Sequence, residues 1–266
     1  MPATTAGSGS AARHGELWGA RALDWAGNEE QQLPTYEEAI RRVGIGAGQR
    51  VLEVGCGSGV FLRAVADHGA TPHGIDASEA LVELAKRRVP EADVRVGDMQ
   101  ALPFEDDHFD VVAGFNSFFF ADDIVAALRE AGRVAKPAAP VVIQVWGPPE
   151  RCGLSSVRAA LAPFLPPPQP GAPSPPQLWQ PGVLEGMAEQ AGLTPDDTFD
   201  VAWAYEWADD DELTRALLSP GVAVGAIQRS GEEPVRAAIV EAMAASRRDG
   251  GSYRVENEWH YVVARA

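Results

Sequence analysis

A short apolar run in this chain is followed at once by a loop rich in glycine. The segment Val51–Gly59 reads VLEVGCGSG, in which Glu53 precedes three alternating glycines, Gly55, Gly57 and Gly59. Glycine has no side chain, so its backbone can lie directly against a ligand, although ordering it costs more chain entropy than ordering any other residue. The pattern therefore indicates a loop that binds a small molecule.

The loop departs from the two common phosphate-binding patterns. A dinucleotide site needs G-x-G-x-x-G, and Val60 stands at the third glycine position of that pattern. A phosphate loop ends in Gly-Lys-Ser/Thr, and no lysine follows the glycines here. Because the carboxylate of Glu53 would repel a phosphate and attract a cation, we expect a ligand that carries an ammonium and a carboxylate.

The elements around the loop alternate between strands and helices. Buried strands are predicted at RVLEVG, PHGID, DVRVGD, FDVVAGF and PVVIQVW, with amphipathic helices between them. This alternation predicts an α/β fold with right-handed crossovers and a mostly parallel sheet covered by helices on both faces. Two alternating segments, TFDVAWAYEW and SYRVENEWHYVVA, add strands near the C-terminus. Ligands bind such sheets at the carboxyl ends of the strands, where the glycine loop lies.

Taken in order, these motifs resemble the class I S-adenosylmethionine (SAM)-dependent methyltransferases, in particular the type 11 branch that includes ubiquinone and menaquinone methyltransferases. The resemblance covers residues 45–150 strongly and the C-terminal strand pair more loosely. It implies a Rossmann-like class I methyltransferase fold with a seven-stranded sheet and an antiparallel C-terminal strand. It also implies SAM as cofactor, S-adenosylhomocysteine as its product, and in-line methyl transfer promoted mainly by proximity and desolvation.

The resemblance also implies roles for residues at the ends of four strands. In the first motif, LEVGCGSG, the loop backbone lies against the methionine part of SAM and Glu53 helps to hold its amino group. Asp76, 21 residues after Gly55, matches the carboxylate that accepts from the ribose hydroxyls. Asp98 would accept from the adenine amino group, and Met99 would pack on the ring. The cofactor-binding residues implied in this way are Glu53, Gly55, Cys56, Gly57, Gly59, Asp76, Ala77, Asp98, Met99, Phe115 and Asn116.

The sequence defines the methyl acceptor site less sharply. Five aromatic residues are candidates to line an apolar acceptor pocket, although each could equally belong to the core: Trp18, Trp25, Phe119, Trp146 and Trp179. His14 is the candidate general base if the acceptor loses a proton, and no other catalytic residue is assigned. The EDDH cluster at 105–108 occupies one turn, where adjacent residues cannot converge on one ion, so no metal is expected.

Charge and composition restrict the partners. The chain has 38 Asp and Glu residues against 22 Lys and Arg, a formal net charge of −16, which argues against nucleic acid or an anionic membrane. The segment after the fourth strand lacks the [D/N]-P-P-[Y/F] signature of enzymes that methylate amino groups of adenine or glutamine. The expected acceptor is therefore a small molecule, hydrophobic or aromatic in character. The sequence leaves the oligomeric state open.

The expected location is the cytoplasm. Cys56 and Cys152 are far apart in the chain and are interpreted as free thiols in a reducing compartment. The first residues, MPATTAGSGSAARHGE, lack the apolar core of a signal peptide. Five regions are predicted: a disordered tail (1–16), N-terminal helices that could form a lid (17–44), the SAM-binding core (45–146), a proline-rich insertion near the substrate site (147–180), and C-terminal helices with the closing strand pair (181–266).

Three other functions are compatible with parts of the pattern. A non-catalytic SAM-binding protein would keep the same cofactor motifs. An NAD(P)-dependent oxidoreductase would use the same fold, but Val60 in place of the third glycine speaks against it. The fold also permits SAM-assisted chemistry other than methyl transfer.

Overall fold

A computed structural model describes residues 9–167 and 174–266 of the chain. Short 3-10 turns at Glu30–Gln32, Phe118–Phe120, Pro149–Arg151, Ala162–Phe164 and Ala244–Ser246 connect some of its elements. In chain order, the helices and strands are α1 (Ser10–Gly19), α2 (Ala22–Glu29), α3 (Leu33–Val43), β1 (Arg50–Val54), α4 (Val60–Asp67), β2 (Thr71–Asp76), α5 (Glu79–Arg88), β3 (Asp93–Val96), β4 (Val111–Phe115), α6 (Ile124–Val134), β5 (Pro140–Trp146), α7 (Ser155–Leu161), α8 (Val183–Gln190), β6 (Thr194–Trp207), α9 (Asp210–Leu217), α10 (Gly221–Ser230), α11 (Glu232–Met243) and β7 (Tyr253–Arg265).

One seven-stranded sheet organises the fold, in the order β3-β2-β1-β4-β5-β7-β6. The strands β1 to β5 are parallel to one another. The last strand, β7, runs antiparallel to both of its neighbours, β5 and β6. The predicted Rossmann-like fold class is thereby confirmed. The order changes direction between β1 and β4, and this switch point is where α/β sheets bind ligands.

The sheet is buried on both faces, which explains why its central strands are continuous apolar runs. On one face, Val51 of β1 and Val111 of β4 pack with α3 and α4. On the other face, Leu52 and Val112 pack with α6 and α8. A smaller cluster lies between α4 and α5 and includes Cys56. These layers pack against β1, β2 and β4 and thereby position the loops at their carboxyl ends.

The N-terminal helices begin earlier than the sequence predicts. The prediction of a disordered tail over residues 1–16 is wrong for its later part, because α1 begins at Ser10, while residues 1–8 lie outside the described ranges. The segment has little apolar periodicity of its own, and tertiary contacts hold it in place. The Ser10 backbone N–H donates to Asp122 Oδ2 (3.0 Å), and the Asp122 backbone N–H donates to Ser10 Oγ (3.2 Å).

The proline-rich region predicted at 147–180 contains some regular structure. Its first half forms α7 between two 3-10 turns, and α7 contributes Val157 and Leu161 to the apolar layer that also holds α11. Part of the proline run, residues 168–173, lies outside the described ranges. Across the described part of the chain, no helix is long and apolar enough to cross a membrane.

Candidate functional site

A narrow cleft lies at the carboxyl edge of the sheet, beyond the ends of β1, β2 and β3. Five of the residues predicted to bind the cofactor line it together: Gly55, Asp76, Ala77, Asp98 and Met99. They come from three separate loops, which the parallel strand order brings to one edge. The structure therefore gathers at one place the glycine loop and both acids that the sequence singled out at strand ends.

The glycine loop is held in a conformation that side chains tolerate poorly. Gly55 and Gly57 have φ values of +77° and +51°, in the left-handed region that favours glycine. A Cβ on Gly55 would lie 2.4 Å from the Cβ of Ser117, the second residue after β4. A Cβ on Gly57 would lie 2.7 Å from Oε1 of Glu29. Backbone strain and close neighbours on two sides thus both require glycine here.

The other two predicted loop residues serve packing rather than the cleft. A Cβ on Gly59 would lie 3.0 Å from Cα of Ala85, so this glycine lets α4 approach α5 closely. The Cys56 side chain is fully buried among apolar residues of α4 and α5, and burial raises the pKa of its thiol well above the usual value. Cys56 and Gly59 are not part of the cleft lining, and neither are Gly57 and Glu53.

Asp76 connects the first and second loops. Its Oδ2 accepts from the Gly57 backbone N–H (2.9 Å), and its Oδ1 accepts from the Ser78 backbone N–H (2.8 Å). Burial raises the pKa of Asp76, and these backbone hydrogen bonds oppose the rise. Because the carboxyl group fixes both loops and also lines the cleft, it is positioned to accept further hydrogen bonds from a ligand.

Glu53, near the end of β1, is a buried carboxyl with unused hydrogen-bonding capacity. Glu53 is 1% exposed, and its Oε2 has no hydrogen-bond partner within the described residues. Burial raises the pKa of Glu53 well above its usual value, and the neighbouring Glu29 and Asp76 raise it further. An unpaired buried acceptor is costly, and a donor group on a ligand would remove that cost.

Glu29 was missed by the sequence prediction. It is the last residue of α2 and is 3% exposed, and its Oε2 accepts from the Ser58 backbone N–H (2.9 Å) and from Ser58 Oγ–H (2.7 Å). Burial raises its pKa to about 7, against the opposing effect of the Ser58 hydrogen bonds. Glu29 lies 24 residues before Glu53 in a polar stretch, NEEQQ, and no local pattern distinguishes it from the exposed acids around it.

Phe115, the last residue of β4, and Asn116, which follows it, are not part of the cleft lining. Phe115 is buried against the rings of Tyr36 and Phe61, with centroids 4.7 and 4.6 Å away. Asn116 adopts φ +51°, and its Nδ2 donates to Gln144 Oε1 (3.0 Å). Its Oδ1 is buried and has no hydrogen-bond partner among the residues described. Asn116 thus offers a second unused acceptor next to the end of β4.

The N-terminal helix α1 covers the cleft. His14 lines it and contacts the ring of Phe120, with centroids 4.9 Å apart. Burial lowers the pKa of His14, Arg13 lowers it further, and Asp122 opposes these effects. A Cβ on Gly15 would lie 2.3 Å from the carbonyl oxygen of Ala77. With α1 packed this closely, the free volume of the cleft is about 30 Å³, which is room for water but not for a nucleoside.

The predicted acceptor residues occupy different positions around this cover, and none of the five lines the cleft. Trp18 packs edge-on against Trp25 (4.7 Å between centroids) and against Phe120 (5.6 Å). Phe119 contacts Phe120 as well, at 4.6 Å. Trp146 packs instead on Trp259, 5.2 Å away, and Trp179 is half-buried in the loop before α8. Phe120, which the sequence analysis considered together with Phe119, lines the cleft.

Comparison with known proteins places the chain in a family. Residues 52–143 match the family model described as a methyltransferase domain. A demethylmenaquinone methyltransferase from Renibacterium salmoninarum is 36% identical over 110 residues, which are 41% of this chain and 46% of that protein. The chain thus matches about half the length of that relative. A demethylmenaquinone methyltransferase from Tropheryma whipplei is 33% identical over 194 residues, 69% of this chain and 70% of that protein.

A solved structure extends the likeness at the level of the fold. The crystal structure of the [4+2]-cyclase SpnF aligns with a TM-score of 0.55 at 20% identity, over 88% of this chain and 80% of that one. Together, the match over two thirds of a relative's length, the family model and the strand order identify the family. The chain belongs to the class I SAM-dependent methyltransferases.

Proposed function

We propose that this protein binds SAM in the cleft at the carboxyl edge and transfers its methyl group to a small apolar molecule. The observation that carries the proposal is the convergence of Gly55, Asp76, Asp98 and Met99 on one cleft. The unpaired Oε2 of Glu53 beneath the same loop supports it, because an ammonium is the ligand group that such an acceptor fits. Family membership favours this function over the oxidoreductase alternative.

Each residue has a role that follows from its chemistry. When bound, SAM supplies a methyl group made electrophilic by the neighbouring sulfonium. The carboxylate of Asp76 would accept from the two ribose hydroxyls, and Asp98 would accept from the adenine amino group. Met99 would pack on the adenine ring, and Glu53 would accept from the ammonium. These residues bind and orient, and orientation of the reacting groups alone can lower the barrier by several kcal/mol.

The N-terminal helices would act as the lid of the site. A free volume of about 30 Å³ has no room for a nucleoside, so entry of the cofactor would require α1 to move away. Its contacts at Gly15 and Ser10 hold it over the cleft, and opening would require that they be broken. Closure over the bound cofactor would exclude water from the transfer step.

The acceptor would lie against the aromatic group formed by Trp18, Trp25, Phe119 and Phe120, whose rings are linked by contacts of 4.6 to 5.6 Å. Such surfaces favour apolar or aromatic small molecules. His14 borders the same group and has a lowered pKa. Its imidazole would be neutral near pH 7 and able to accept a proton from the acceptor. The net charge of −16 disfavours a nucleic acid substrate.

Calorimetric titration with SAM, S-adenosylhomocysteine, NADH and NADPH tests the cofactor assignment. We expect one binding site for SAM and S-adenosylhomocysteine and no binding of NADH or NADPH. Asp76→Asn should weaken that binding, and Asp93→Asn is the matched control, because Asp93 pairs with Arg95 at the start of β3. Labelled SAM and a panel of phenols, quinols and apolar amines would then identify the acceptor. Binding of the nicotinamides alone would contradict the proposal.

A second candidate function is SAM-assisted chemistry without methyl transfer. The fold match to a [4+2]-cyclase favours keeping this candidate, because it shows the same architecture in a protein named for a different reaction. Tight binding of SAM with no methyl transfer to any acceptor of the panel would support this second candidate.

A further inference from the structure

The end of α2 brings a carboxyl group into the glycine loop from outside the sheet. Oε2 of Glu29 accepts both hydrogen bonds from Ser58, at 2.9 and 2.7 Å. A Cβ on Gly57 would lie 2.7 Å from Glu29 Oε1 and 3.0 Å from Oε2. The carboxyl group therefore lies directly against the backbone of the loop that the cofactor is proposed to contact.

These contacts use only one of the two oxygens. Within the described ranges, no residue donates a hydrogen bond to Oε1 of Glu29. The Arg88 guanidinium lies close by, but it donates to Ser58 Oγ (2.9 Å) and pairs with Glu30 (2.6 Å). Glu29 is thus a buried acid with one oxygen fixed and the other available.

Two more buried acids surround the same loop. Glu53 has an unpaired Oε2, and Asp76 binds the loop backbone. Their charges are coupled: Asp76 raises the pKa of Glu29, and both Glu29 and Asp76 raise the pKa of Glu53. Buried carboxyl groups grouped in this way are unfavourable when ionised unless a cation compensates them. Among the described residues, Arg88 is the one cation that acts on this group, and it lies at the edge, which leaves further compensation to a cationic ligand.

We infer that Oε1 of Glu29 and Oε2 of Glu53 together bind the α-ammonium of the amino acid end of SAM. SAM has two cationic groups, and only the ammonium has N–H donors for two free acceptor oxygens. The inference rests on the proposed function of the cleft as a SAM site. It makes Glu29 a cofactor-binding residue that belongs to the N-terminal helices, and it links the position of α2 to the presence of the cofactor.

The experiment compares two ligands that differ only in the group at issue. S-adenosylhomocysteine and its analogue without the α-amino group are titrated calorimetrically into the wild type, Glu29→Gln and Glu30→Gln. Glutamine keeps the size of Glu29 and an oxygen that can accept from Ser58, but it removes the charge. Glu30→Gln is the matched control, since Glu30 is the next residue, is half-exposed and pairs with Arg88.

We expect Glu29→Gln to weaken binding of S-adenosylhomocysteine by about 10- to 100-fold, the range for a lost charged hydrogen bond. Binding of the deaminated analogue should change by less than about twofold, on the usual scale for a group that the variant no longer contacts. Glu30→Gln should leave both affinities unchanged. Ser58→Ala, which removes one anchor of the carboxylate, should reproduce the selective loss in weaker form.

Equal weakening of both ligands by Glu29→Gln would mean that Glu29 only braces the loop, and it would overturn the inference. Unchanged binding of S-adenosylhomocysteine would overturn it too. A wild-type protein that binds neither SAM nor S-adenosylhomocysteine would overturn the proposed function itself. That failure is distinguishable, because it appears before any variant is made.

Discussion

Glu29→Gln is expected to stabilise the ligand-free protein above pH 7, even though it weakens cofactor binding. Burial raises the pKa of Glu29 from 4.5 to about 7. Between these two values the folded protein holds a proton at Glu29 that the unfolded chain has released. The stabilisation from Glu29 is therefore complete below about pH 4.5 and is lost as the pH rises through about 7.

The size of the effect follows from the same pKa values. A rise from 4.5 to about 7 is a difference of about 2.5, which corresponds to about 3 kcal/mol of unfolding free energy. Glu29 is 3% exposed, so solvent screening reduces this figure little. In Glu29→Gln, the new side-chain amide would be neutral at every pH and would accept from Ser58 as the protonated acid does. The variant should therefore not lose unfolding free energy as the pH rises through about 7.

Urea unfolding of the ligand-free wild type and variant at pH 5, 6, 7 and 8 measures the difference directly. The two free energies should agree within about 1 kcal/mol at pH 5 and diverge by about 3 kcal/mol at pH 8, in favour of the variant. The same charged and titratable groups face position 29 in the wild type and in the variant. These groups are Arg88, Asp76, Glu53, Tyr36 and Tyr205.

Parallel pH curves for the two proteins would refute the reasoning, because they would mean that Glu29 is ionised in the folded protein at no cost. Glu30→Gln is the control and should follow the wild type, since Glu30 lies at the surface in an ion pair with Arg88. A divergence in the control as well would show that net charge, rather than burial, determines the effect.

Three further perturbations address other parts of the site. Asp76→Asn should weaken S-adenosylhomocysteine binding about 100-fold in calorimetry, because weaker charged hydrogen bonds to the ribose cost roughly 3 kcal/mol of binding free energy. A change below about threefold would contradict the role of Asp76 in binding the ribose. Gly15→Val would place a Cβ only 2.3 Å from the Ala77 carbonyl oxygen. Hydrogen exchange in α1 should therefore become faster while the core stays protected. Unchanged protection of α1 would show that the helix tolerates the substitution. His14→Asn should slow methyl transfer with the cofactor affinity retained, and an unchanged rate across pH 6 to 8 would exclude a base at this position.

The parts of the site that the sequence predicts are those set by local order along the strands. Gly55 and Asp98 follow a strand and Asp76 ends one. The parallel arrangement of β1, β2 and β3 brings the ends of these strands together regardless of the details of packing. The type and order of the residues were therefore enough to place them at one edge. The seven strands were predictable for the same reason, since each is an apolar or alternating run bounded by turns.

The parts that the sequence misses depend on contacts between distant segments. Glu29 is distinguished from Glu30 only by burial against Ser58, 29 residues later in the chain. The helix α1 is fixed by Asp122, which is 112 residues away from Ser10. The three phenylalanines after β4 form a 3-10 turn that sends neighbours in different directions: Phe118 enters the core, and Phe120 reaches the cleft. No periodicity of the sequence predicts which of these side chains is buried and which reaches the cleft.

The most direct test of the account is a crystal structure of the protein with S-adenosylhomocysteine. We expect density in the cleft with the ribose hydroxyls on Asp76, the adenine beside Asp98 and Met99, and α1 moved from its position against Ala77. Density for the nucleoside elsewhere on the protein, or an empty cleft at saturating ligand, would contradict it.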